Sequence, residues 1–161
     1  MTKLSRISAL GLVLAATLLA ACSKPLLYGN LQETEEIVKT YQVPPAEAFR
    51  AAKEALLFKG YSLKQEDPTN FILETYWQPS TADSHYVNVF GRKDFGTVGS
   101  YYRLVVKITP KGNGSRVGIS NVAKSFISNL KSSQQEEDKI FEKISDFTRK
   151  QDIQVTNIGL Q

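Results

Sequence analysis

Hydrophobic and polar positions alternate most cleanly over Tyr101–Thr109. Tyr102, Leu104, Val106 and Ile108 fall on one side, and Tyr101, Arg103, Val105, Lys107 and Thr109 on the other. A period of two predicts a strand with one buried face. Pro110-Lys111-Gly112-Asn113-Gly114 supplies a turn, and Arg116–Ala123 returns with Val117 and Ile119 inward. The pair reads as an antiparallel hairpin with one wet face.

The period changes elsewhere. Ala48, Phe49, Ala52, Ala55 and Leu56 recur at helical spacing after Pro44-Pro45, with Glu47, Arg50, Lys53 and Glu54 on the other faces and Gly60 just past the end. This predicts an amphipathic helix with Pro in its first turn. Thr34–Val43 before it alternates weakly and reads as a first strand. After it, Tyr61–Gln65 alternates, Glu66-Asp67-Pro68-Thr69-Asn70 turns the chain, and Phe71–Trp77 is a strand with Phe71, Leu73, Thr75 and Trp77 on one face. Ile140, Phe141, Ile144 and Phe147 predict a second helix. Ser132 or Ser133 is placed to cap it, Ser133 and Glu136 having capping-box spacing. Asp152–Thr156 reads as a short last strand. The expected fold class is α+β, an antiparallel sheet of about five strands with two helices packed on one face.

The first residues follow a different plan. Lys3 and Arg6 precede the apolar run Ala9–Leu18, which is shorter than the roughly 20 residues a membrane span needs. It has the length of a signal-peptide core, with small residues following it. Leu19-Ala20-Ala21-Cys22 resembles the lipobox of bacterial lipoproteins. The resemblance implies recognition by a signal peptidase at Leu19, Ala20 and Ala21, cleavage before Cys22, a diacylglycerol thioether on its sulfur, and usually acylation of the new amino terminus. Ser23, where Asp would imply retention in the inner membrane, implies the outer membrane. Two or three acyl chains on one residue hold a protein stably to a bilayer. The organisation expected is a signal peptide over 1–21, a lipidated tether over 22–33 and a single α+β domain over 34–161. Leu26, Leu27 and Tyr28 are more apolar than a free tether needs, and are expected to rest on the domain or the membrane.

Composition narrows the function. Twenty Lys and Arg face sixteen Asp and Glu; removing Lys3 and Arg6 leaves eighteen against sixteen, so no basic stripe argues for nucleic acid. One Cys and one His exclude a disulfide framework and a Cys/His zinc site.

A second resemblance lies in the domain. Tyr41-Gln42-Val43-Pro44-Pro45-Ala46-Glu47-Ala48-Phe49 through Leu56, then Gly60-Tyr61-Ser62-Leu63 to Ile72, resembles the opening of the helix-grip domains of the outer-membrane assembly lipoprotein BamC. The resemblance implies a noncatalytic binding module near outer-membrane machinery.

Chemistry is sparse. Asp83, Ser84 and His85 are consecutive, and in extended chain neighbours point apart, so His85 is expected in a solvated loop rather than a triad. Asp94-Phe95-Gly96 lacks the phosphate-binding and catalytic loops of a kinase, and Gly91, Gly96 and Gly99 lack a dinucleotide-binding context. Glu35-Glu36 and Glu136-Glu137-Asp138 read as a strand edge and a helix first turn, where negative charge favours the dipole. No metal, cofactor or catalytic residue is expected.

Gln78–Ser100 holds Tyr86, Phe90, Arg92, Lys93 and Phe95 among small polar residues. Tyr, Phe and Arg are interface-forming types, so Tyr86, Phe90 and Arg92 form a candidate partner surface. The expected function is a periplasm-facing lipoprotein, anchored to the bilayer through acylated Cys22, that binds or scaffolds an envelope protein partner. The alternative is a small-ligand binder with a cleft between helix and sheet, lined by Tyr76, Trp77, Tyr101 and Tyr102.

Overall fold

The computed structural model describes residues 29–95 and 99–156, with side chains to residue 149. The leader, Cys22 and the segment Leu26–Tyr28 lie outside the described residues. Among the described residues ten strands and two helices follow in the order β1 (Asn30–Glu33), β2 (Ile37–Tyr41), α1 (Pro45–Phe58), β3 (Leu63–Asp67), β4 (Ile72–Thr75), β5 (Gln78–Pro79), β6 (His85–Val89), β7 (Arg92–Phe95), β8 (Tyr101–Lys111), β9 (Gly114–Ser125), β10 (Lys131–Ser132) and α2 (Gln135–Thr156).

The main sheet is antiparallel, ordered β1-β9-β8-β4-β3, with β2 also on β9 and β5 also on β8. β1 pairs with residues 122–125 of β9 and β2 with residues 115–119, so the two lie end to end along one edge. β4 and β5 share the edge of β8 in the same way. The expected sheet of about five strands is therefore five positions wide, and seven strands fill it. Residues 30–33, read as the end of a tether, belong to the sheet: Leu31 pairs with Lys124 and Gln32 with Ala123.

The long hairpin obeys its alternation. Tyr102, Leu104, Val106 and Ile108 are buried, and they pair with Ala123, Asn121, Ile119 and Val117 of β9. This face meets both helices in one apolar cluster with Ala48, Phe49, Ala51, Ala52, Ala55 and Leu56 of α1 and Ile140, Phe141 and Ile144 of α2. The four buried alanines of α1 leave room for the helix to lie close to its neighbours. Phe58 and Phe147 close the outer end of the helix pair edge to face, their centroids 6.1 Å apart.

Two expectations fail at α2. The helix runs through Thr156, so Asp152–Thr156 is helical and not a strand. The aperiodic tail had masked a helix that continues beyond its packed stripe. Nor does the Ser133–Glu136 capping box form. Ser133 Oγ reaches only the Gln135 N–H, at 3.5 Å, while Glu136 accepts from Tyr61 and Lys139. Ser132 takes the N-terminal role by accepting from the Gln134 N–H at 3.0 Å.

A second, three-stranded ribbon, β10-β6-β7, stands apart from the sheet. His85 is level with Asn121 through their side chains, and Gln32, two pairs nearer the end of β9, holds Ile127 and Leu130. The chain from Ser132 back to Ile127 therefore runs toward the end where β1 begins. β6 runs the same way, antiparallel to β10, so the β6–β7 tip projects from that end.

Candidate functional site

The predicted partner surface is a hairpin. Val89 pairs with Arg92, leaving Phe90 and Gly91 as a two-residue loop with φ of +48° and +80°. Two successive positive φ values match the primed turns of tight hairpins, where Asn-Gly is the favoured pair. Phe90 occupies the first position fully exposed, with neither a packing contact nor a backbone preference to account for it. Arg92, Lys93 and Asp94 are exposed along β7, and the Tyr86 ring lies 5.5 Å from the tilted Phe95 ring and 4.7 Å from Lys93 Nζ. The three predicted residues thus share one hairpin but not one patch. Phe90 and Arg92 form the tip, while Tyr86 is a half-buried support near its base.

The structure corrects the reading of His85, which lies not in a solvated loop but on β6, fully buried. Its Nδ1 is 2.9 Å from Ser84 Oγ and its Nε2 3.1 Å from Asn121 Oδ1. Ser84 precedes the strand in a turn, which is why the two neighbours meet. Burial holds the imidazole below its ordinary pKa, against the Asn121 hydrogen bond and the charge of Glu136.

From His85 a buried chain of hydrogen bonds continues. Asn121 Nδ2 donates to Ser132 Oγ at 3.4 Å, and Ser132 donates to Glu137 Oε1 at 2.7 Å. From Asn121 onward the donors point toward Glu137, while the Ser84 hydroxyl donates to the Thr81 carbonyl at 3.0 Å. Glu137 is 1% exposed and its Oε2 has no protein partner. Burial pushes its carboxyl above the ordinary carboxylate range, although Ser132, its own N–H and Asn121 pull the other way.

Glu137 stands at the edge of a polar cleft of about 390 Å³, also lined by Glu33, Thr34, Glu35, Tyr86 and Lys131. Across the sheet end a smaller cleft of about 230 Å³ is lined by Tyr61, Tyr102 and Glu136. There the two phenols bond at 2.8 Å, and Tyr61 donates to Glu136 at 2.9 Å. Burial raises both phenols, Tyr102 to about 12. The Tyr102 ring also lies 5.1 Å from that of His85. Glu136, Glu137 and Asp138 do occupy the helix first turn, but sequence reasoning missed that the middle one is buried. The signal available was helical spacing: Glu137 precedes Ile140, Phe141 and Ile144 by three, four and seven positions.

The aromatic cleft expected between helix and sheet is not assembled. Tyr102 faces the core while Tyr101 faces the other side of β8. Trp77 lies 5.0 Å from the Arg103 guanidinium, which pairs with Glu74, and Tyr76 is exposed. Among the described residues no group of three or more His, Cys, Asp or Glu could hold a metal ion.

No protein-family model matches the sequence, and no curated protein matches it significantly. Solved structures do. The crystal structure of Ara h 8.0201 is similar over 73% of this chain and 97% of its own, with 12% identity and a TM-score of 0.50. The likeness is one of fold. TTHA0849 from Thermus thermophilus is 13% identical over 72% of this chain and 96% of its own, with a TM-score of 0.38. Mll3558 from Rhizobium loti is 17% identical over 73% and 99%, also at 0.38.

Proposed function

We propose that this chain is a lipid-anchored, noncatalytic binding module of the bacterial envelope, held at the outer membrane and facing the periplasm. The observation that carries this reading is the order of its first residues: a basic start, a short apolar run, Leu19-Ala20-Ala21-Cys22, and seven residues later the first described position, Gly29. Seven residues extend to about 25 Å at most. The body then sits within one protein diameter of the lipid surface.

The β6–β7 hairpin is the part we assign to a protein partner. An exposed phenylalanine in a left-handed turn costs conformational energy that folding does not return, and such positions cluster at functional sites. The hairpin projects from the end at which β1 begins, within reach of a membrane-embedded partner. A noncatalytic reading is supported by the burial of the His85–Ser84 pair, whose polar atoms are bonded inside the body.

One observation favours a second reading. Glu137, a carboxyl with one oxygen unpartnered by protein, is among the residues that line a polar cleft of a size to take a small polar ligand.

Fractionation of cells carrying the wild-type chain or Cys22→Ala, followed by crosslinking and capture, tests the main reading. Wild type is expected in the outer-membrane fraction with a discrete envelope partner lost on Phe90→Ala. Equal recovery of both chains in the soluble periplasm would overturn it.

A further inference from the structure

We propose that the sheet end carrying Leu31, Phe126 and Ile127 is a membrane-docking face, so that the protein meets the bilayer with its own side chains as well as its acyl chains. This rests on the lipid-anchor reading and adds an orientation to it. Leu31, Phe126 and Ile127 are 63%, 72% and 41% exposed, three large apolar residues from two segments. They are held together by a short set of bonds. Gln32 donates from Nε2 to the Ile127 carbonyl and accepts at Oε1 from the Leu130 N–H, both at 2.7 Å, and Ser125 Oγ accepts from the Ile127 N–H at 3.0 Å. The loop after β9 is thereby clamped to β1.

What selects a lipid surface is where the chain leaves. A Cβ on Gly29 would lie 2.3 Å from the Ser125 carbonyl carbon and 2.7 Å from the Phe126 nitrogen. The backbone leading to Cys22 thus passes against the base of the apolar loop. Only six residues separate that crossing from the acylation position, and three of them are Leu26, Leu27 and Tyr28. An anchor this short keeps the adjoining surface at the headgroups, where large apolar side chains gain by burial and cations by anionic lipid. Lys124, paired with Leu31, supplies a cation beside the patch.

Acylated protein with a nitroxide at Ile127→Cys, reconstituted in phosphatidylethanolamine–phosphatidylglycerol vesicles, tests this. A label at Asn113→Cys, in the exposed turn between β8 and β9, serves as control, and acylation blocks Cys22. The expected result is that vesicles lower collision of the 127 label with a water-soluble nickel chelate several-fold and raise its collision with oxygen, leaving the 113 label unchanged. A fully acylated protein whose 127 label stays as accessible as the 113 label overturns the docking face while sparing the anchor. A label open in vesicles but shielded in native envelopes overturns it too, giving the patch to a protein. Absence of acyl mass on Cys22 overturns both. Equal melting temperatures of labelled and wild-type chains show that the fold is intact.

Discussion

The hydroxyl of Ser132 donates to Oε1 of Glu137 at 2.7 Å, and the other oxygen of that carboxyl has no protein partner. This one pair joins the ribbon strand β10 to the first turn of α2. It also ends a buried run of polar contacts that links His85, Asn121 and Ser132. A buried acid so placed is a stability liability that depends on pH.

The sign follows from its raised pKa. The folded chain holds the Glu137 proton more tightly than the unfolded chain, whose carboxyl titrates near 4.5. The stability it contributes is complete below that value and is lost as pH rises through the folded pKa. Glu137→Gln keeps an acceptor for Ser132 and removes the charge. Urea denaturation at pH 7.5 is expected to show Glu137→Gln more stable than wild type by about 1–2 kcal/mol, with the advantage gone below pH 4.5.

His85 gives the opposite slope. Its folded pKa lies below the ordinary 6.5, so stability is present above that value and falls as acid charges the unfolded chain first. The fall in the urea midpoint from pH 7.5 to 5.5 is expected to lessen in His85→Gln. His85→Phe, which leaves the buried Asn121 Oδ1 without its ring partner, is expected to cost about 1–3 kcal/mol at pH 7.5.

Phe90 tests the hairpin. Replacing it by Asn removes a β-carbon-heavy residue from a left-handed turn position and completes the favoured Asn-Gly pair. Thermal denaturation is expected to show Phe90→Asn more stable by about 0.5–1 kcal/mol, while crosslinking to the envelope partner falls. A gain in stability with unchanged crosslinking would remove the tip from the interface.

Gly29 fixes the edge of the sheet. With φ at +107° and the Ser125 backbone in contact, no side chain fits there. Gly29→Ala is expected to loosen β1 locally, seen as faster amide exchange of Leu31 and Glu33, at a cost of about 1–3 kcal/mol in that segment.

Much of the fold was legible because its strongest elements have one buried face. The alternation at Tyr102–Ile108, the helical spacing of Ala48–Leu56 and that of Ile140–Ile144 each report a single boundary between core and water. Residues 30–33 were not legible as a strand. They lie at a sheet edge, with Asn30, Leu31 and Glu33 exposed, so no period survives in four residues. His85 was not legible as buried because its cover comes from Asn121 and Tyr102, far along the chain, and Glu137 because its polarity hid a core-facing position. The hairpin tip was legible in residue type, whereas its left-handed geometry required the register of Val89 with Arg92.

The anchor bears the greatest weight in this account, and intact mass measurement of the protein recovered from envelopes tests it most directly. The account predicts a chain beginning at Cys22 and carrying the mass of a diacylglycerol group, with a further acyl group on the amino terminus. A chain that still begins at Met1 and bears no lipid would contradict it.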